Sequence, residues 1–206
     1  IDVHDSPDYW TIKVDAATAE ILAQHNYTVY CTHKHHAGGI CRDEKPQFLP
    51  SLLNQTDNAV YHVFPVPLES PIHGERAMVV NPADSTASPY GCHDTDGVPG
   101  AEYTITRGNN VHAYPDTTNV NESIGNEPNG GDSLVFNFPY HEGIVSDAFI
   151  DFATTQLFYM NNIMHDFTYA YGFDEAAGNF QQNNYGRGGS GGDYVIAHAQ
   201  DGGGTN

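Results

Sequence analysis

The sequence predicts an α+β fold in which a β-rich amino-terminal portion carries one long buried helix, residues 147–171. Two observations lead to this prediction. Before residue 146, short segments alternate apolar and polar residues, which is typical of half-buried strands. After it, apolar residues recur at alternating spacings of three and four, which is the period of a helix face.

The first element is a β-hairpin within residues 8–29. Trp10, Ile12 and Val14 alternate with polar residues, "DAAT" is typical of a turn, and "AEILAQ" resumes the apolar pattern. Residues 31–60 contain a cysteine loop, two prolines and a polar run. They are therefore predicted to be a linker with little regular structure.

The cysteine loop "CTHKHHAGGIC" lies between Cys31 and Cys41. A disulfide between these two residues, formed in an oxidising compartment, is the simplest interpretation, and it leaves Cys92 as a buried or free thiol. The loop also holds three histidines and is interpreted as a solvated His-rich loop. A Cys/His metal site is the alternative, although the spacing matches no known zinc pattern.

Residues 61–146 are predicted to be mostly strand and loop. The three prolines in "VYHVFPVPLESP" exclude a central strand there and permit an edge strand. Further strand candidates are "RAMVV", "AEYTITRG" and "DSLVFNFPY", and the last places Leu134, Phe136 and Phe138 on one face. The polar segment "PDTTNVNESIGNEPNGGD" is predicted to be an exposed loop.

The long helix is predicted from a continuous apolar stripe. Ser146 or Asp147 is the expected N-cap, and Gly172 is the expected stop at the other end. Further aromatic residues widen the apolar surface, so the helix is expected to be buried. The stripe consists of Ile150, Ala153, Leu157, Met160, Met164, Phe167 and Tyr171. The glycine-rich segment after the helix contains one more strand, "DYVIAHA".

The overall charge limits the partners of the chain. Its 206 residues contain 26 Asp and Glu against 7 Lys and Arg, for a net charge of −19. Nucleic acid and anionic membranes would be repelled, so neither is expected as a partner. No apolar run approaches the roughly 18 residues of a membrane span. The opening "IDVHDSPDYW" lacks the features of a signal peptide, and Ile1 is interpreted as an internal or processed start.

No complete catalytic motif occurs in these residues. A metallopeptidase motif H-E-x-x-H would place two imidazoles one turn apart on a helix, with the Glu as base. The only His-Glu pair is His141-Glu142, and Val145 stands where the second histidine would be. The glycine-rich segment around Ser190 also fails to match the nucleophile motif G-x-S-x-G in its required context.

Two groups of polar residues remain as candidates for a functional site. Asp94, Asp96 and Glu102 offer oxygens to calcium, and a hydrated polar turn is the alternative. His165 and Asp166 are neighbours on the predicted helix, where adjacent side chains do not face each other, so they are not expected to form an acid–base pair. His165 is interpreted as a buried, hydrogen-bonded histidine. Alternatively, His165 or Asp166 braces an adjacent active-site element.

Two long segments resemble the fungalysin family of secreted zinc metalloendopeptidases, in its bacterial branch. They are "YHVFPVPLESPIHGERAMVVNPADSTASPYGCHDTDGVPGAEYTITRGNNVHA" and "LFYMNNIMHDFTYAYGFDEAAGNFQQNNYGRGGSGGDYVIAHAQDGGGTN". The segment "YWTIKVDAATAEIL" resembles the last hairpin of that family's propeptide. Ala19 stands where glycine is usual, and Cys92 stands where an aromatic residue is usual.

The resemblance implies a thermolysin-like architecture, in which a β-rich lobe with a long helix precedes the helix bearing H-E-x-x-H. In such enzymes a zinc-bound water attacks the peptide carbonyl with help from the Glu of the motif. The zinc ligands are expected outside these 206 residues, and calcium is a possible second ion. The resemblance makes Gln200, Asp201 and Asn206 the approach to the strand that binds the substrate backbone.

We therefore expect the non-catalytic amino-terminal part of a secreted zinc metalloendopeptidase. Residues 1–30 would be a propeptide-like hairpin, 31–60 a linker and 61–206 part of the peptidase lobe. Its expected partners are protein or peptide substrates and the carboxy-terminal half of the same peptidase, whether nicked, partly ordered or on a separate chain. The alternative is a catalytically inactive fragment that serves as an extracellular structural or assembly subunit.

Overall fold

The computed structural model describes residues 10–14, 18, 21–26, 57–140 and 146–203. The chain forms two compact units, Ile1–Leu49 and Pro50–Asn206. Among the described residues, no helix combines the length and the apolar character needed to cross a bilayer. The predicted three-part division at residues 30 and 60 stays a prediction.

The first unit contains the predicted hairpin. Strands β1 (Trp10–Val14) and β2 (Ile21–Asn26) pair antiparallel, with an irregularity between Lys13 and Val14. The prediction of a hairpin is therefore confirmed. The cysteine loop, including Cys31 and Cys41, lies outside the described residues, as does the predicted linker up to residue 56.

The described residues of the second unit form short strands around a single long helix. They are β3 (Val60–Val63), β4 (Ala77–Val80), β5 (Val111–Pro115), β6 (Val135–Phe136), the helix α1 (Ile150–Ala170) and β7 (Val195–Ala199). Short 3-10 turns lie at Pro71–His73 and Ser146–Phe149. The mixed α+β class is as predicted.

Strand β3 is the centre of a three-stranded sheet of order β4-β3-β6. It pairs antiparallel with β4 and parallel with β6. The prediction that the prolines exclude a central strand is wrong, because β3 ends at Val63, before the first of them. Both of its edges are therefore free to pair.

Strands β5 and β7 form a parallel pair, with Val111 opposite Val195 and Pro115 opposite Ala199. Helix α1 packs against both strands and lies between them in the sequence. All five residues of β5 are buried. Strand β5 was not predicted from the sequence, since a strand buried on both faces has no alternation of apolar and polar residues. Strand β7 was predicted and is confirmed.

Two other strand predictions need correction. "AEYTITRG" forms no strand, and Ile105 and Arg107 make only isolated bridges to other segments. In "DSLVFNFPY" the strand is limited to β6, because Leu134 has a positive φ of 50°. The predicted face is nevertheless present, since Leu134 and Phe136 are buried and the residues between and beside them are exposed.

Helix α1 is shorter than predicted but ends where expected. Ser146 and Asp147 lie in the preceding 3-10 turn, so neither caps α1, which begins after Phe149. At the other end, Gly172 has a φ of 94°. Its N–H donates to the Tyr169 carbonyl, and the N–H of the next residue donates to the carbonyl of Thr168. This left-handed glycine cap is the predicted stop.

The predicted apolar stripe is not the buried face of α1 along its whole length. Met164, Phe167 and Tyr171 are 51%, 55% and 80% exposed. The most buried positions lie on the neighbouring face, and several of them are polar. They are Phe152, Thr154, Thr155, Phe158, Tyr159, Asn162 and Asp166. The prediction of a largely buried helix is therefore wrong for its last two turns, because hydrogen-bonded polar residues occupy the packed face.

The core of the second unit is rich in aromatic rings. Phe158 of α1 lies with its ring centroid 5.0 Å from that of His93, and His93 stacks on Phe136 at 5.1 Å. The Tyr61 hydroxyl lies 2.7 Å from His93 Nε2. Burial lowers the pKa of His93, which favours the neutral ring. These contacts join β3, β6 and α1 and hold the helix in place.

Candidate functional site

Asp166 anchors the carboxy-terminal half of α1 to the loop that follows β4. Its Oδ2 accepts the backbone N–H of Asp84 at 2.8 Å, and its Oδ1 accepts the hydroxyl of Ser88 at 2.7 Å. The carboxylate of Asp84 in turn accepts the backbone N–H groups of Thr86 and Ala87. The side chain of Asp166 is only 9% exposed. A buried carboxylate with charged hydrogen bonds of this kind fixes the loop relative to the helix.

The same network continues from the loop to β5. Asn110, just before β5, donates from Nδ2 to Ser88 Oγ at 2.9 Å and to Asn162 Oδ1 at 3.1 Å. Asn162 donates to the carbonyl of Phe158, one turn earlier in α1. The loop, the helix and the start of β5 are thus joined by buried side-chain hydrogen bonds.

His165 contacts its neighbour in the chain, Asp166, although the sequence predicts that the two do not face each other. Its Nδ1 lies 3.0 Å from Asp166 Oδ1, and its Nε2 lies 3.3 Å from Asn179 Nδ2. The prediction that His165 and Asp166 do not face each other is therefore wrong, because the imidazole turns toward the carboxylate. The contacts suit an imidazole that donates from Nδ1 and accepts at Nε2, which agrees with a hydrogen-bonded histidine.

A shallow groove of ≈ 200 Å³ opens beside His165, between α1 and the start of β7. We call it the helix-end groove. Its wall is mainly apolar, and polar atoms come from the network just described. Residues that line the groove include Asn110, Met164, His165, Phe173, Phe180 and Val195.

A second polar group lies at the far end of β7. His198 Nε2 is 2.9 Å from the hydroxyl of Tyr114, on the neighbouring strand. Its Nδ1 lies 3.4 Å from Asp201 Oδ2 and 3.6 Å from Asp116 Oδ2. Asp116 is buried and accepts two backbone N–H groups from the loop that follows it. His198 therefore links both strands of the parallel pair to the turn at Asp201.

The predicted calcium ligands also come together. One ligand atom each from Asp94, Asp96 and Glu102 lies within 4.8 Å of the others. Asp94 accepts the Tyr185 hydroxyl at 3.1 Å. Burial raises the pKa of Asp94 to about 6, the Tyr185 hydrogen bond opposes this shift, and the charge of Glu102 adds to it. Calcium binding at these carboxylates stays a prediction.

Replacing Asp94 by asparagine should make stability less sensitive to pH between about pH 4 and pH 7. The pKa of Asp94 rises from 3.8 to about 6 on folding. Ionisation is therefore harder in the folded state, and the stabilisation present at low pH is lost as the pH rises through about 6. We expect the difference in melting temperature, that of Asp94→Asn minus that of the wild type, to increase from pH 4 to pH 7.

The exposed Asp132 provides the control, because Asp132→Asn removes one carboxylate charge without removing a buried group. The calcium prediction is tested with the same proteins. Calcium chloride at pH 7 should raise the melting temperature of the wild type more than that of Asp94→Asn, because the cation would offset the charge of Asp94. An equal response in both proteins would contradict it.

Comparison with known proteins identifies the family. The model of the fungalysin metallopeptidase (M36) family matches residues 60–206. The chain belongs to the fungalysin metallopeptidase family. It is 39% identical over 156 residues to extracellular metalloproteinase 5 of Trichophyton tonsurans, covering 76% of this chain and 25% of that protein. It is 40% identical over 158 residues to extracellular metalloproteinase 2 of Arthroderma benhamiae, covering 76% and 24%.

This fungalysin chain thus spans about a quarter of the length of the curated relatives it matches. Metal-dependent activity in the family raises the question of where a metal would bind. In the described residues, two groups of side chains bring metal-ligand atoms together, and both have been described above. Asp94, Asp96 and Glu102 supply only oxygens, which suit calcium rather than zinc.

The other group does not fit a catalytic zinc site of the expected kind. Asp116, His198 and Asp201 supply one imidazole and two carboxylates. A peptidase site built on H-E-x-x-H needs two imidazoles from one helix, with a Glu beside them. The described residues of this fungalysin chain therefore do not provide that donor set, and no catalytic step through zinc is assigned to them.

The residues predicted for the substrate approach lie just beyond β7. Asp201 Oδ1 accepts the backbone N–H of Gly203 at 2.7 Å, and Gln200 has a positive φ of 50°. The chain therefore turns at these two residues directly after the strand. Asn206 lies outside the described residues. Cys92 is a buried free cysteine, as predicted.

Several residues of the candidate site were not singled out from the sequence. Asp116 and His198 meet only because β5 and β7 are neighbours, and β5 was not predicted. Ser88 and Asn110 are polar residues of loops, and nothing in their local sequence indicates that they are buried. The one available signal was the spacing of His198 and Asp201, which are three residues apart at the end of a predicted strand.

Proposed function

We propose that the chain is the amino-terminal, non-catalytic part of a secreted zinc metalloendopeptidase that hydrolyses protein substrates. The observation that carries this proposal is the family match over residues 60–206. The relatives are named extracellular metalloproteinases, and the chain covers only 25% and 24% of two of them. Zinc and the water it activates would then be held by ligands outside these 206 residues.

In this proposal, the second unit is part of a thermolysin-like lobe. It is supported by the combination of one long helix with parallel strands on its packed face. A rigid frame of this kind is what a peptidase needs to hold its substrate-binding strand and its metal site at fixed positions. Residues 1–30 would be the end of the propeptide, and their hairpin is consistent with this role.

Two parts of the frame have proposed positioning roles. Strand β7 and the turn at Gln200 and Asp201 would direct the chain toward the strand that binds the substrate backbone. The His198 contacts with Tyr114 and Asp201 support this, since they hold the turn against both strands. His165 and Asp166 would brace the end of the helix, and their contacts with loop residues on two sides support it.

The 206-residue chain alone should have no peptidase activity. We expect the purified chain to leave casein intact at every zinc concentration, since no H-E-x-x-H motif occurs in its sequence. The protein secreted by the source should contain these residues within a larger polypeptide that carries one zinc. Intact mass, zinc content and casein cleavage of both preparations check this expectation.

Two results would contradict the proposal. Zinc-dependent casein cleavage by the purified chain, abolished by a chelator and restored by zinc, would place the catalytic site within these residues. A secreted protein with a mass of 22.5 kDa and no zinc would instead favour an extracellular structural or assembly subunit.

A further inference from the structure

The last two turns of α1 present an apolar surface that the described residues leave uncovered. Met164 and Phe180 are 51% and 47% exposed, and both line the helix-end groove. Phe167 and Tyr171 extend this surface along the helix, with ring centroids 4.9 Å apart. Large apolar side chains grouped in this way are typical of an interaction surface rather than of a solvated helix face.

One residue that lines the groove, Asn110, also carries a buried polar atom without a partner. Asn110 is 2% exposed, and its Oδ1 accepts no hydrogen bond among the described residues. Both donations from its Nδ2 are already fixed by Ser88 and Asn162, so the direction of the amide is set. A buried acceptor of this kind is costly to leave unpaired.

The size and chemistry of the groove favour a protein segment as its occupant. Its volume of ≈ 200 Å³ is small for a site that would enclose a free organic ligand, which usually needs at least about 300 Å³. The apolar surface continues outside it, as expected for one side of a protein interface. A second copy is disfavoured because each chain carries a net charge of −19.

We propose that the helix-end groove and the adjoining face of α1 form the surface on which the carboxy-terminal remainder of the peptidase packs. This inference rests on the proposed function. The relatives are about four times as long as the matched segment, so most of their polypeptide has no counterpart among these residues. Apolar side chains of the remainder pack against Met164, Phe173 and Phe180, which line the groove.

Methionine oxidation provides a direct test, since the sequence has only three methionines. Met164 lies in the groove, whereas Met78 lies on β4 and is 47% exposed, which makes it a matched internal control. The 206-residue chain and the peptidase secreted by the source are treated with dilute hydrogen peroxide. Mass spectrometry of their peptides then gives the oxidation rate of each methionine. Intact mass and zinc content are measured on the same samples.

In the 206-residue chain, we expect Met164 and Met78 to oxidise at similar rates. In the secreted peptidase, the rate at Met164 relative to Met78 should fall at least about tenfold, because packing excludes the reagent. An unchanged ratio in a larger, zinc-containing protein would overturn the proposal and leave the proposed function intact. A secreted protein of 22.5 kDa without zinc would overturn both.

Protection of Met164 in the 206-residue chain itself would also overturn the proposal. Protection that increases with protein concentration would identify a second copy as the occupant. Protection that does not depend on concentration would identify another segment of the same chain.

Substitution of Met164 gives an independent measurement. Met164→Gln should leave the melting temperature of the 206-residue chain almost unchanged, because the side chain is half-exposed there. The same change should lower the melting temperature of the longer peptidase, and Met78→Gln should have little effect on either protein. Equal effects of Met164→Gln on both proteins would contradict the proposed packing.

Discussion

Replacing Phe158 by alanine should lower the free energy of unfolding of the chain by about 3–5 kcal/mol. The side chain is 0% exposed and lies where α1 meets the three-stranded sheet β4-β3-β6. Its ring is 5.0 Å from His93 and 6.0 Å from Tyr61, between centroids. Removal of the ring would leave a cavity lined by other rigid rings, which cannot easily collapse into it. Chemical denaturation followed by circular dichroism measures the loss.

Phe167 on the same helix provides the matched control. It is 55% exposed, so Phe167→Ala should change the stability of the 206-residue chain by less than about 1 kcal/mol. A loss at Phe167 as large as that at Phe158 would contradict the burial of α1 in the structure. It would instead support the apolar stripe that the sequence predicts.

The spacing of apolar residues predicted the existence of α1 but not which face is packed. The stripe through Met164, Phe167 and Tyr171 is continuous in the sequence, yet these residues are exposed in the described part of the chain. The packed face uses Asn162 and Asp166, whose partners come from distant segments. Periodicity counts apolar residues and cannot register a polar side chain that is buried because its hydrogen bonds are satisfied.

The strands differ in how much of them the sequence could reveal. Strands β1, β2, β4 and β7 were predicted from short apolar or alternating segments, and each is present. Strand β5 was missed because it is buried on both faces. The central position of β3 was missed because a proline rule was applied to residues that follow the strand. The order of strands in a sheet depends on contacts between distant residues, which no local pattern contains.

The candidate site could be predicted only in part for the same reason. Asp94, Asp96 and Glu102 are close in the sequence, and the structure brings them together as expected. Asp116 and His198 are separated by the whole of α1 and meet through the pairing of β5 with β7. The contact of His165 with Asp166 was excluded by a rule for exposed helix pairs. It arises here because both side chains are held at the edge of a buried network.

Replacing Asp166 by alanine should destabilise the chain by about 3–5 kcal/mol, because it removes the acceptor from a buried network. The carboxylate accepts hydrogen bonds from the Asp84 N–H and the Ser88 hydroxyl and lies 3.0 Å from His165 Nδ1. Alanine would leave these donors in a site too enclosed for ready solvation, and each unpaired donor costs about 1–3 kcal/mol. Denaturation at neutral pH gives the loss in free energy.

The expected damage extends beyond the helix, because Ser88 also receives the amide of Asn110. Hydrogen exchange should therefore accelerate at the backbone N–H of Asp84 and at that of Val195, which pairs with the Asn110 carbonyl.

Asp151→Ala is the control on the same helix. Burial raises the pKa of Asp151. Among the described residues, none donates a hydrogen bond to its carboxylate. Its loss should cost less than about 1 kcal/mol. If Asp166→Ala is as mild as Asp151→Ala, the network does not hold the loop against the helix, and the proposed bracing role of Asp166 is wrong.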